Sequence, residues 1–160
     1  MSQKFTVLFD LDGTLVDTAP DLMLAHNHVM KKFGYEEREL SDIKKLAGGG
    51  SKAMLRKSIH EIAELSGKIK KTNEEVEEKM TKEFINFYSE NINKESKLIT
   101  GALEFLNWCK NNSISMAVCT NKQEHLSIDL LKKIKIYHFF DYVAGGNTFN
   151  HNKPDPKHLT

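Results

Sequence analysis

Cysteine, charge imbalance and long apolar runs are all scarce in this chain of 160 residues, and each scarcity removes a class of protein. The two cysteines, Cys109 and Cys119, share no metal-type spacing, so a cysteine-based metal site is excluded and two reduced core thiols are expected. The formal net charge is +1, which supplies no electrostatic footprint for nucleic acid or for an anionic membrane surface. No stretch approaches the roughly 20 apolar residues that span a bilayer, and residues 1–10 lack the apolar core of a secretory signal. Internal repeats and low-complexity tracts are missing as well. A cytoplasmic, soluble protein with no nucleic-acid or membrane partner is expected, and a hydrophobic content of 39% is enough for a real core.

What is present begins with a short apolar and β-branched run, Phe5 to Phe9. It is too short for a helix and reads as a strand buried on both faces, as in parallel sheets. Thr18 can cap the helix that follows, with Pro20 in its first turn and Leu22, Ala25, Val29, Met30 and Phe33 at helical spacing up to Gly34. Ser41 can start a short helix that ends at the glycine run, and a second pattern runs from Ser51 through Leu55, Ile59 and Ile62 to Gly67. A third begins at the capping-box-like pair Thr72 and Glu75, with Val76, Met80, Phe84, Phe87 and Tyr88 on one stripe.

The pattern then changes. A helix from Ala102 to Cys109, a turn at Asn111-Asn112 and a strand from Ile114 to Cys119 are followed by a helix through Leu126, Leu130, Leu131 and Ile134. A short strand at Tyr142-Val143-Ala144 closes the series. This order implies an α/β fold: a Rossmann-like parallel sheet core with right-handed crossovers, formed by residues 1–16 and 95–160. Residues 17–94 are expected to form a helical cap inserted after the first strand.

In an open α/β sheet, ligands bind outside the carboxyl ends of the strands, so Asp10, Asp12, Thr120, Asn121 and Lys153 are expected to converge on one crevice. Carboxylates at i and i+2 leaving a strand repel each other, and a crowded pair needs a cation or a shared proton. Mg²⁺ answers that need, because it takes oxygen ligands and keeps waters and substrate phosphates in its shell. Gly13 permits a tight turn, with its N–H placed to face an anion. Blander readings stand beside these: a solvated Asp-Gly turn, an N-cap at Thr120, a solvated loop lysine at Lys153 and a flexible helix break at Gly48-Gly49-Gly50. Lys52 and Arg56 read as a solvated helix face, and His26, His28, His60 and His125 form no ligand set.

The run Asp10-Leu11-Asp12-Gly13-Thr14 after an apolar strand resembles the first motif of the haloacid dehalogenase superfamily. Met116 to Asn121, a strand ending in Thr120, resembles the second, and Lys153 before Pro154 the third. Within that superfamily the chain looks like the phosphoglycolate phosphatases and their close relatives. The resemblance implies a Mg²⁺-dependent phosphomonoester hydrolase that acts on a small phosphorylated metabolite through an aspartyl phosphate. Asp10 would be the nucleophile and Asp12 the acid and base, with the metal held at Asp10 and Asp12. Gly13, Thr120, Asn121 and Lys153 would bind phosphate, and Gly48, Gly49 and Gly50 would form a cap loop at the substrate. A β-phosphoglucomutase-type phosphotransferase and a non-catalytic oligomeric binding protein are the alternatives.

The same resemblance implies a fourth, acidic motif after a further strand and helix beyond Lys153, and none occurs before Thr160. Asp155, adjacent to the lysine, is not expected to replace it. With the strands of that motif missing, Phe5 to Phe9 is expected to be a bare sheet edge, which is an aggregation liability. Either further chain of a longer phosphatase or a second copy in a homo-oligomer would cover it, and weak turnover is expected of these 160 residues alone.

Overall fold

The computed structural model describes residues 5–66 and 73–158. In chain order the elements are β1 (Thr6–Phe9), β2 (Val16–Asp17), α1 (Ala19–Lys32), a 3₁₀ turn (Leu40–Asp42), α2 (Ile43–Leu46), α3 (Gly50–Ser66) and α4 (Glu74–Asn91). There follow β3 (Lys97–Leu98), α5 (Ala102–Asn111), β4 (Ser115–Cys119), α6 (Glu124–Lys133), β5 (Tyr142–Ala144) and two 3₁₀ turns, Tyr137–Phe139 before β5 and Pro156–His158 after it. They divide into two compact units, Met1–Thr18 with Glu95–Thr160, and Ala19–Lys94. None of the described helices is long and apolar enough to cross a membrane.

The first unit is built on a parallel sheet of order β1-β4-β5, in register from Thr6↔Ser115 to Phe9↔Val118 and from Ala117↔Tyr142 to Cys119↔Ala144. Because side chains alternate along a strand, this register puts Phe9, Val118 and Val143 on one face, all buried. The Phe9 ring packs edge-on against Phe105 of α5 and against Phe140, each at 5.9 Å between centroids. The opposite face carries Leu8, Ala117, Cys119, Tyr142 and Ala144, which with Phe149 and His158 line an open groove of ≈ 430 Å³.

That groove corrects one expectation. The first strand is not buried on both faces: Phe9 is buried, whereas Leu8 is 50% exposed and Phe5, just before the strand, 67%. Apolarity sets a preference for burial, but burial needs neighbours. Among the described residues β1 pairs with β4 alone, and its Leu8 face opens onto the groove. A second sheet went unforeseen, because β2 and β3 are two residues each. They pair antiparallel through Val16↔Leu98 and Asp17↔Lys97, tying together the two points where the chain leaves and re-enters this unit.

The second unit is helical. α1 buries Met23, Ala25, His26, Val29 and Met30, α3 buries Met54, Leu55, Ser58 and Ile59, and α4 buries Met80, Phe84 and Tyr88 at four-residue intervals. Asn73 caps α4, its side-chain oxygen accepting from the Val76 N–H at 2.9 Å, and Glu74, Glu75 and Glu77 complement the helix dipole. The expected cap residue Thr72 and the expected helix end at Gly67 lie outside the described residues. Glu83 of α4 receives His28 at 2.8 Å and Lys32 at 2.7 Å from α1, and Phe87 stacks on the His28 ring.

His26 is one of the unit's buried titratable side chains, with Asp21 and Tyr88, and is itself 0% exposed. Its Nδ1 lies 2.9 Å from Asn27 Oδ1, and the Asn27 amide is itself oriented by two bonds with the Arg38 backbone. Nδ1 therefore carries the hydrogen, and Nε2 is a bare acceptor with no partner among the described residues. Burial pushes the imidazole below its ordinary value, the Asn27 bond opposes this, and Arg38 adds to it against Asp42. A depressed folded-state value means that the unfolded chain takes the proton first.

Stability is therefore full above the unfolded value of about 6.5 and is lost as pH falls below it. The thermal midpoint of the wild type should drop between about pH 7.5 and about pH 5.5 by more than that of His26→Leu, and parallel profiles would refute this account. On the sheet, the exposed apolar edge should make the chain self-associate. Leu8→Lys should reduce the association seen in sedimentation, since a charge in place of an exposed apolar side chain on an edge strand opposes pairing.

Candidate active site

The chain turns sharply where β1 ends. Leu11, fully buried, anchors the turn, and its carbonyl accepts from the N–H groups of Leu15 and Val16, each at 3.1 Å. Asp10 and Asp12 flank that anchor, so burial of the residue between them sends both carboxylates to the opposite side. Gly13 has φ 75°, the left-handed region that glycine enters at least cost. Its N–H donates to the Val16 carbonyl at 2.8 Å, so the expectation that it faces an anion is corrected: the donor is used in closing the turn.

Each aspartate is held through the same oxygen. Asp10 Oδ1 accepts from the Leu11 N–H at 2.8 Å and forms an ion pair with Lys153 Nζ at 3.0 Å. Asp12 Oδ1 accepts from the Thr18 hydroxyl at 2.7 Å and from Lys122 Nζ at 2.8 Å. The hydrogen bonds to both carboxylates among the described residues fall on Oδ1. Two like charges at one strand end are thus balanced by two ammonium groups, and the spare oxygen of each carboxylate is the one that can act on a ligand.

The lysines reach the site from two other loops. Lys122 follows β4, within the Thr120-Asn121-Lys122 turn. Its side chain is only 5% exposed, and its N–H donates to the Thr120 hydroxyl oxygen at 3.2 Å. The Thr120 N–H continues the β4–β5 ladder to the Ala144 carbonyl at 2.9 Å, and the hydroxyl is not an N-cap for α6, which starts at Glu124 after Gln123. Asn121 donates its side-chain amide to the Lys153 carbonyl at 3.1 Å, joining the two lysine-bearing loops. Burial pushes the Cys119 thiol up, the Lys153 ammonium opposes this and the Asp10 carboxylate adds to it. A thiol raised in this way forms less thiolate at neutral pH, which argues against Cys119 as a nucleophile.

Sequence reasoning assigned Asp10, Asp12, Thr120, Asn121 and Lys153 to this place but missed Lys122. A lysine two residues beyond a strand's Thr reads as solvated, and only its position after a buried strand end hinted otherwise. Gly48, Gly49 and Gly50 belong to the helical unit, between α2 and the first turn of α3, with positive φ at Gly48 and Gly50. Asp155 does not join the aspartates: it pairs with His151 at 3.1 Å and accepts from the Lys157 N–H at 2.9 Å.

Two glycines after β5 hold the Asn121–Lys122 turn in place. Gly146 donates to the Lys122 carbonyl at 2.7 Å, and a Cβ there would collide with the Asn121 carbonyl oxygen; one on Gly145 would collide with the Glu124 backbone. Gly146→Ala should therefore destabilise the chain by about 1–3 kcal/mol in chemical denaturation, as overpacking against backbone does. An unchanged denaturation midpoint would contradict this close approach.

A parallel α/β sheet with acidic and basic side chains gathered at the carboxyl ends of its strands places the chain among the Rossmann-like α/β proteins. It belongs to the haloacid dehalogenase-like hydrolase family, whose sequence profile matches residues 7–160. It is similar to the phosphoglycolate phosphatase of Pseudomonas fluorescens strain Pf-5, at 33% identity over 153 residues that cover 96% of this chain and 54% of that protein. The chain thus spans about half the length of that curated relative. Among solved structures it resembles a predicted phosphoglycolate phosphatase from Haemophilus somnus 129PT, with a TM-score of 0.89 and 27% identity, covering 99% of this chain and 70% of the other. It also resembles the β-phosphoglucomutase of Clostridium difficile, with a TM-score of 0.74 and 25% identity, covering 99% and 68%.

Proposed function

We propose that the chain carries the phosphoryl-transfer centre of a Mg²⁺-dependent phosphomonoester hydrolase of the phosphoglycolate phosphatase type. The observation that carries the reading is the pair of aspartates pinned through Oδ1 beside Lys153 and Thr120. In the first half-reaction Asp10 Oδ2 bonds to phosphorus as the bond from phosphorus to the ester oxygen breaks, and protonated Asp12 gives its proton to the departing alkoxide. In the second, Asp12 takes a proton from water, whose oxygen attacks phosphorus. The bond to Asp10 then breaks, releasing inorganic phosphate and restoring both carboxyl groups. The Lys153 ammonium and the Thr120 hydroxyl are suited to hold the transferring oxygens.

The donor chemistry fits Mg²⁺, which binds through one or two carboxylates together with waters and substrate phosphate. Asp10 through its carboxylate and Asp12 through its main-chain carbonyl are the residues that would hold it, and among the described residues no cluster of three acidic, histidine or cysteine side chains offers a closed protein cage. When bound, it would offset repulsion between an anionic nucleophile and an anionic ester. A small phosphorylated metabolite as substrate and a cytoplasmic setting belong to the same reading, the latter supported by two buried free thiols. So does a second copy over the exposed β1 edge. Likeness to the C. difficile β-phosphoglucomutase favours one alternative, a hexose-phosphate phosphotransferase.

The test is acid-quenched incubation with phosphoglycolate, a hexose phosphate or an aryl phosphate in Mg²⁺, followed by mass spectrometry of the peptide carrying Asp10. A phosphoryl group on that peptide, lost with Asp10→Asn and with chelator, is the expected result. Equal phosphate release by the wild type and Asp10→Asn would sink the proposal, and preference for the hexose phosphate would select the alternative.

A further inference from the structure

We infer that Lys122 is a positioning residue: with Thr18 it clamps Asp12 by Oδ1 and so reserves Oδ2 as the oxygen that exchanges the proton. The inference deepens the phosphomonoesterase reading and rests on it for the chemistry, though not for the clamp itself. A lone hydrogen bond to a carboxylate leaves the side chain free to change rotamer. Two donors on one oxygen, arriving from different segments, hold both the rotamer and the choice of oxygen. The hydroxyl of Thr18 at 2.7 Å and the ammonium of Lys122 at 2.8 Å do this to Asp12 Oδ1.

The clamp is built rather than incidental. Thr18 is 1% exposed, and Lys122 has almost no surface through which to swing. The backbone of Lys122 is held on both sides, its N–H by the Thr120 hydroxyl and its carbonyl by the Gly146 N–H. Gly145 and Gly146 leave no room for that turn to shift. Asp10 provides the contrast: its Oδ1 is held by the adjacent Leu11 N–H and by Lys153, whose side chain is 28% exposed, a looser arrangement suited to a carboxylate that must carry a phosphoryl group.

The clamp and the chemistry are tested separately. In the isotope-labelled chain, three-bond couplings to the Asp12 carboxyl carbon should report one side-chain rotamer in the wild type, rotamer averaging in Lys122→Met, and recovery in Lys122→Arg. A single unchanged rotamer in Lys122→Met, or averaging already in the wild type, overturns the inference. If Lys122→Met does not fold, Lys122→Gln, one atom shorter in reach, replaces it under the same criteria.

Rates then separate positioning from mere support. An alkyl phosphate needs a proton on its leaving group and a 4-nitrophenyl ester does not. Lys122→Met should therefore lower kcat for phosphoglycolate by about 10²-fold with KM little changed, and kcat for the aryl ester by less than about tenfold. Equal losses on both esters overturn the inference. A fixed rotamer in a wild type that transfers no phosphoryl group upholds the clamp and removes the phosphatase reading instead.

Discussion

Two carboxylates leave one strand end with a single buried leucine between them, and the site depends on how that repulsion is met. The answer is a pair of lysines supplied by different loops, Lys122 after β4 and Lys153 after β5. Each ion pair therefore ties the β1 turn to a different part of the sheet's carboxyl edge. The Lys122–Asp12 pair, the less exposed of the two, adds little net stability, because desolvation of both ions opposes their attraction. What it contributes is geometry: loss of either partner leaves an uncompensated charge, so the arrangement tolerates few alternatives.

The same logic explains why small residues gather behind the lysines. The Asn121–Lys122 turn must approach β5 closely enough for the Gly146 N–H to reach the Lys122 carbonyl, and backbone atoms occupy the space that a Cβ would need. The Asn121 side chain then spans to the Lys153 carbonyl, so the two cationic loops support each other as well as their aspartates. The apolar floor beneath is ordinary strand packing, with Val118 and Cys119 buried on the central strand and the Cys119 thiol pushed up by that burial.

Much of this was legible in the sequence, and the failures have physical causes. β1, β4 and β5 declare themselves as short apolar runs, and α1, α4, α5 and α6 by helical spacing, because these signals are local. β2 and β3 do not, since two residues carry no period and their pairing joins segments far apart in the chain. The exposure of Leu8 was missed because apolarity reports what a residue prefers, whereas burial reports which neighbours are present. At the site, Asp10, Asp12, Thr120, Asn121 and Lys153 could be placed together by the rule that strand ends share an edge. Lys122 could not, because its burial is a tertiary fact, and the Gly13 N–H is absorbed by a turn bond to Val16 that no spacing predicts.

Thr18 links the site to the chain's own path. It is the last residue of the sheet unit before the helical segment begins, and its hydroxyl is one of the two donors on Asp12. Glu95, where the chain re-enters the sheet unit, is followed at once by β3, which pairs with β2 just upstream of Thr18. The entry and exit of the long helical excursion are thereby held side by side, and closing such a loop costs only slowly more as it lengthens. A large insertion can therefore sit at this point of the sequence while the Asp12 oxygens keep their orientation, because the clasp that fixes them lies wholly on the sheet side of the junction.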